Sequence, residues 1–182
     1  SGKNYALRPN VHSWMKIQLK DIHGNIIPED LLHELLDNNI LELDTNDRIT
    51  FFHELVLEYF ASLKLLRIYI EDGSLNPKYY EEYRWFQAII MLSGLLDNAN
   101  DLVNNISVCN LILAARCIAS GAIVSTHTSS TIIRRANHIL STQAAYKERD
   151  KAIISLLELA SEHALRLVVI NLQKESSKLH IT

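Results

Sequence analysis

From Trp85 onward the apolar residues fall three or four positions apart, in one row after another. Trp85, Ile89, Leu92 and Leu96 form the first row, and Leu111, Ala115 and Ile118, closed by Gly121, form the second. Ile132, Ile133, Ala136, Ile139 and Leu140 form a third, and Ile153, Leu156, Leu157 and Ala160 a fourth. Leu165, Val168, Val169 and Leu172 form a fifth. This spacing places each row on one face of an α-helix, whereas a half-buried strand would alternate every second residue. Segments of helical length joined by short polar links predict a HEAT-like stack of antiparallel helices over residues 79–182. No fixed repeat period is present, so a compact irregular bundle is the alternative. Only 5 glycines and 3 prolines occur among 182 residues, too few turn markers for a many-stranded sandwich or barrel.

The remaining composition is that of a globular chain, with 48% hydrophobic and 21% charged residues. It excludes a disordered tail, a coiled-coil rod and a collagen-like chain. No apolar run approaches the roughly 18 residues of a membrane span. With 18 Lys+Arg against 21 Asp+Glu, the net charge of −3 gives no push toward nucleic acid or anionic membranes. Cys109 and Cys117 form neither a disulfide framework nor a zinc spacing and read as two buried thiols of a reduced, cytoplasmic protein. The Ser1-Gly2 start reads as a cloning scar or an excised fragment, and Ser1-Gly2-Lys3 lacks the upstream glycine of a phosphate loop.

The first part of the chain is organised differently. Residues 1–20 contain Lys3, Arg8, Lys16 and Lys20 and no acid. Met15, Ile17 and Leu19 alternate like a strand, while Val11, Trp14 and Met15 fit a helix, and the pattern supports both. Pro28 suits a first helical position, with Glu29 and Asp30 where the helix dipole favours acids. Leu31, Leu32, Leu35 and Leu36 continue at helical spacing until Asn38-Asn39. Residues 40–43 and 48–52 read as strands about the turn Asp44-Thr45-Asn46-Asp47, so 40–52 is a hairpin. A long helix follows from His53 to about Glu71, with Leu55, Tyr59, Leu63, Leu66 and Ile70 as its apolar row. Asp72-Gly73-Ser74 ends it, and 73–84 reads as a connector. Helix, two-stranded wing and helix form the back half of a winged-helix module. The fold expectation is therefore mainly α: a partial winged-helix domain over 1–78, then the HEAT-like region over 79–182.

A winged helix invites a DNA-binding reading, but the charges oppose it. Between residues 29 and 58 lie nine carboxylates and Arg48 alone, a surface that repels phosphates. His33-Glu34 and His53-Glu54 each resemble the start of a zinc-protease helix. The second histidine is missing, because position 37 is Asp and position 57 is Leu. His12, His23, His127, His138, His163 and His180 are scattered, beside no nucleophile. Arg134-Arg135 with Lys147, Arg149 and Lys151 makes a modest basic cluster, interrupted by Glu148 and Asp150, that reads as a solvated helix face. No catalytic and no metal-binding residues are assigned.

The stretch Phe51-Phe52-His53-Glu54-Leu55-Val56-Leu57-Glu58-Tyr59-Phe60-Ala61-Ser62 resembles the end of the winged-helix domain in NACHT-type STAND ATPases. These are signal-transduction NTPases that include NOD-like receptors and prokaryotic defence proteins. Glu58-Tyr59-Phe60-Ala61 matches the family pattern, with Ser62 in place of a second alanine. Trp85 to Leu96 and Leu113 to Ile118 are similar to the helical start of the sensor region in bacterial members. The resemblance covers about residues 35–120 and is most specific over 48–62; beyond 121 it is architectural.

The resemblance implies that His53 contacts the β-phosphate of bound ADP in a larger parent protein and helps hold its closed state. Physically, a helix N-terminus presents unpaired N–H groups to anions, and a ring N–H adds a donor, although Glu54 brings an opposing charge. The chain carries no Walker A loop and no acidic strand end for Mg²⁺, so it is expected to be no enzyme and to hold no cofactor itself. ATP or ADP with Mg²⁺ would belong to the parent. The implied partners are an upstream nucleotide-binding domain of the same chain and a protein ligand or oligomer partner. The alternatives are a helical-repeat scaffold for protein binding and, least favoured, a nucleic-acid-binding winged helix.

Overall fold

A computed structural model describes residues 5–18, 26–142 and 144–179. The readings that involve Lys3, Leu19, Lys20, His23, His180 and the Ser1-Gly2 start lie outside them. The chain is mainly helical with a small antiparallel sheet. It divides into two compact units, Ser1–Tyr59 and Phe60–Thr182, each described by itself.

In the first unit, β1 (Ala6–Leu7) is followed by α1 (Arg8–Gln18), α2 (Pro28–Asp37), β2 (Leu41–Leu43) and β3 (Arg48–Phe51). The ambiguous N-terminal pattern thus resolves as a short strand and then a helix. Pro28 occupies the helix start, where its missing N–H costs nothing, and Asn39 stops the helix in a left-handed conformation at φ 53°. The turn is closed by the Asp44 carboxylate, which accepts from the backbone N–H groups of Asn46 at 2.8 Å and Arg48 at 3.0 Å. Those two donors hold the Asp44 carboxyl below its ordinary range, the Arg48 amide most strongly. The hairpin pairs Leu41 with Phe51 and Leu43 with Ile49. β1 adds to its other side, giving the order β1-β3-β2 with Ala6 opposite Ile49. The first unit thus runs strand, two helices and hairpin in chain order, with the hairpin where the two-stranded wing was expected. Leu32, Leu41 and Ile49 form its buried core, with Val11, Met15, Leu35, Leu36 and Phe51 packed around them.

The helix α3 (Glu54–Asp72) contains the division between the units, ahead of the boundary expected after residue 78. Its expected apolar row proves to be largely the outer side: Leu55, Tyr59 and Ile70 are exposed, while Ser62 and Leu65 are buried. Apolar residues occupy most of the circumference of this helix, so spacing alone selects no face. Phe60, within the family-like stretch, is 48% exposed.

In the second unit, α4 (Lys78–Glu81) and a 3₁₀ turn (Tyr83–Trp85) precede α5 (Phe86–Leu95), α6 (Asn100–Cys109) and α7 (Leu111–Ala119). After them come α8 (Thr126–Ser141), α9 (Tyr146–Leu159) and α10 (Glu162–Leu179). The expected connector over 73–84 is corrected: Leu75 and Tyr80 are buried in the main core with Leu65, Ile89, Leu92, Leu102 and Ile106. A second cluster joins Ala136, Leu140, Ala152, Leu156, Ala164 and Val168. α7 is buried on several sides, because Leu113, Ala114, Ala115 and Cys117 are all inside. Polar ties bind the stack: Asn110 donates to the Tyr80 carbonyl at 3.0 Å, and Arg116 donates to Glu158 at 2.9 Å. The fifth apolar row is split, with Val168 buried and Leu165, Val169 and Leu172 exposed. Likewise Cys117 is buried but Cys109 is exposed, so only one of the two thiols is a core residue.

Two buried ionisable groups give the second unit an alkaline limit. Burial pushes the Cys117 thiol up from 9.0 to about 11, against the opposing hydrogen bond from Ser93. Burial likewise pushes the Tyr80 phenol up from 10.0 to about 12. Both groups hold their protons more tightly folded than unfolded. Their contribution is complete below the unfolded values and is lost as pH rises through the folded ones. Thermal melts followed by circular dichroism should therefore weaken from pH 9.0 upward, and Cys117→Ala should flatten the first part of that decline. The Leu75 backbone near the Tyr80 hydroxyl partly opposes that rise, but the hydroxyl finds no hydrogen-bond partner among the described residues. Tyr80→Phe removes an unpaired buried hydroxyl and is expected to stabilise the unit by about 1 kcal/mol. Chemical denaturation checks this; a loss of stability would reveal a bond from that hydroxyl.

Candidate functional site

The candidate site lies where β3 meets α3. Pairing extends one residue beyond the strand, with the Phe52 N–H donating to the Ile40 carbonyl at 3.1 Å. The chain then bends through Phe52 and His53, and α3 begins at Glu54. The His53 carbonyl accepts from the N–H groups of Val56 at 3.0 Å and Leu57 at 3.4 Å. His53 is thus the N-cap residue, and the N–H groups of Glu54 and Leu55 have no intrahelical acceptor.

The His53 ring is exposed and stands edge-on to Phe52, with centroids 4.6 Å apart and an interplanar angle of 84°. Its neighbourhood is open, and it is apolar. Phe52 is 48% exposed, Leu55 62% and Tyr59 46%. Leu55 and Tyr59, four apart, share one side of the helix start, and Phe52 stands just before it in the chain. Carboxylates frame this strip. Glu54 is exposed, and Glu58 is half-buried, its carboxyl raised by that burial first and by the Glu54 charge second. Glu42 on β2 accepts from the Thr50 hydroxyl at 2.8 Å.

This arrangement presents ring and backbone donors to an anion and an apolar strip to another protein surface. Glu54 already places negative charge at the helix N-terminus and competes with any incoming anion. Among the described residues, no group of three His, Cys, Asp or Glu is placed to hold a metal ion. His12 pairs with Glu29.

The helix that a winged-helix DNA reader would insert is α2, and Glu29, Asp30, Glu34 and Asp37 are all exposed on it. That surface repels a phosphate backbone. No helix among the described residues is long and apolar enough to cross a membrane.

The basic cluster of the second unit divides. Arg134 donates to the Thr131 hydroxyl at 3.1 Å, whereas Arg135 donates to Ser107 on α6 at 2.6 Å. Lys151 pairs with Glu148 at 2.9 Å. Arg135, Arg116 and Lys151 line one groove, a convergence of α7, α8 and α9 that no local motif signals.

Comparison with protein-family models, with curated proteins and with solved structures finds no match to this chain.

Proposed function

We propose that the chain is a non-catalytic regulatory segment of a NACHT-type STAND ATPase, linking a sensor to a nucleotide-controlled closed–open switch. The observation that carries this reading is the exposed His53 ring at the N-terminal end of α3, on an open apolar strip. A ring sealed in the core could contact no neighbouring module. In this reading the strip of Phe52, Leu55 and Tyr59 rests on a nucleotide-binding domain, and His53 donates to the diphosphate of ADP. Detection of a ligand shifts the population toward the open form, nucleotide exchanges, and the open form assembles with further copies.

By itself the chain offers one ring, a helix end and an opposing Glu54. Calorimetry with ADP should therefore detect no affinity tighter than about 1 mM, and no ATP hydrolysis should be measurable. Micromolar binding or turnover would contradict this assignment of labour. The reading frame that encodes the chain gives the second test, because a Gly-x-x-x-x-Gly-Lys-Ser/Thr phosphate loop should lie upstream. The exposed Leu165, Val169 and Leu172 on α10 favour a second reading, a helical-repeat scaffold that binds protein. A parent without a phosphate loop would select it.

A further inference from the structure

A groove of about 640 Å³ opens on the second unit, with Phe86, Leu111, Ile139 and Ile154 among its apolar walls. That size suits a few side chains of a bound ligand. Three cations line it, Arg116, Arg135 and Lys151, against two carboxylates, Glu81 and Glu148. Glu148 and Glu158 pair with two of these cations, so among the described residues the groove's remaining cation is Arg135, with Glu81 at the other end.

The cations are not equivalent. Glu148 answers Lys151 at 2.9 Å, and Glu158 answers Arg116 at 2.9 Å. Arg135 meets a neutral hydroxyl instead, with its Nη1 donating to the Ser107 Oγ at 2.6 Å. The Ser107 hydroxyl in turn donates to the Asn104 carbonyl at 2.7 Å, which fixes the acceptor and so the guanidinium. Guanidinium carries five N–H donors in a planar fork, and one suffices for Ser107, so the remainder are available to a carboxylate. Glu81, at the α4 side of the groove, repels a second acid there and favours an amide or cationic group at that end.

We propose that this groove binds an acidic peptide segment. One ligand carboxylate engages Arg135, and neighbouring apolar side chains cover Phe86, Ile139 and Ile154. A nucleic-acid strand fits less well, because successive phosphates call for a run of unpaired cations, and Glu81 and Glu148 oppose them. The proposal rests on the second unit alone and stands apart from the reading of His53.

The test uses a displayed random-decapeptide library selected on the full chain. The enriched pool is then measured as fluorescein-labelled peptides by polarisation. Enrichment of Asp or Glu beside Leu, Ile or Phe is expected, with binding that weakens as salt rises. Arg135→Glu should weaken that binding at least tenfold. Val108→Asp should do the same by placing a carboxylate in the groove; Val108 is 68% exposed, so this variant disturbs no core and decides the matter if Arg135→Glu misfolds. Absence of enrichment, selection of basic or uncharged peptides, or unchanged affinity in folded variants would overturn the proposal. So would tighter binding of a labelled oligouridylate.

Discussion

Ile49→Asp is expected to unfold the first unit and leave the second folded. Ile49 is buried with Leu32 and Leu41 in a core that is separate from both clusters of the second unit. An unpaired carboxylate in that position costs several kcal/mol in desolvation. Whole domains are stable by only about 5–15 kcal/mol, and small ones by less. Hydrogen exchange should show protection lost across α1, α2 and the sheet and retained from α5 to α9. The first turns of α3 should fray with the first unit, since the division falls at Tyr59 and Phe60. Simultaneous loss of all protection would show that the two units fold as one.

Leu156→Ala and Leu157→Ala should differ sharply although they are adjacent and belong to the same apolar row. Leu156 is fully buried among Ala136, Ala152 and Ala164, so its truncation leaves a cavity and should cost about 2–5 kcal/mol. For a unit of this size the midpoint should fall on the order of 10 °C. Leu157 is exposed on α9, and its truncation should cost less than about 1 kcal/mol. Chemical denaturation of the two variants checks the face assignment; equal losses would mean that α9 is rotated or covered.

These pairs mark where the sequence was legible. α2 and the hairpin could be read because their signals are local: Pro28 begins the helix, Asn39 ends it, and Asp44 closes the turn. The row on α8 was also legible, because Ile132, Ala136 and Leu140 stand opposite polar residues. On α3 and α10 apolar residues cover too much of the circumference, so the position of the neighbours decides which side is buried. β1 has only two residues and acquires its identity by pairing with β3. α6 is rich in asparagine and carries its burial on Leu102, Val103 and Ile106, so no strong row announced it. The junction at His53 was legible as a place, since a strand and a helix meet there. The strip of Phe52, Leu55 and Tyr59 beside it was not, because exposure depends on the whole unit. The groove was invisible for the same reason, as its cations come from three helices.

The reading of His53 gives the apolar strip and the acid-framed helix end one purpose, contact with a nucleotide-holding neighbour. The most direct measurement of this reading is the nucleotide retained by the full product of the gene that encodes this chain. Purified without added nucleotide, that protein should carry about one ADP per chain. His53→Ala should lower ADP affinity at least tenfold, while Leu55→Ala weakens the docking without removing the donor. A complete product that carries no nucleotide, or a His53→Ala variant that retains ADP as tightly as the natural protein, would contradict the account.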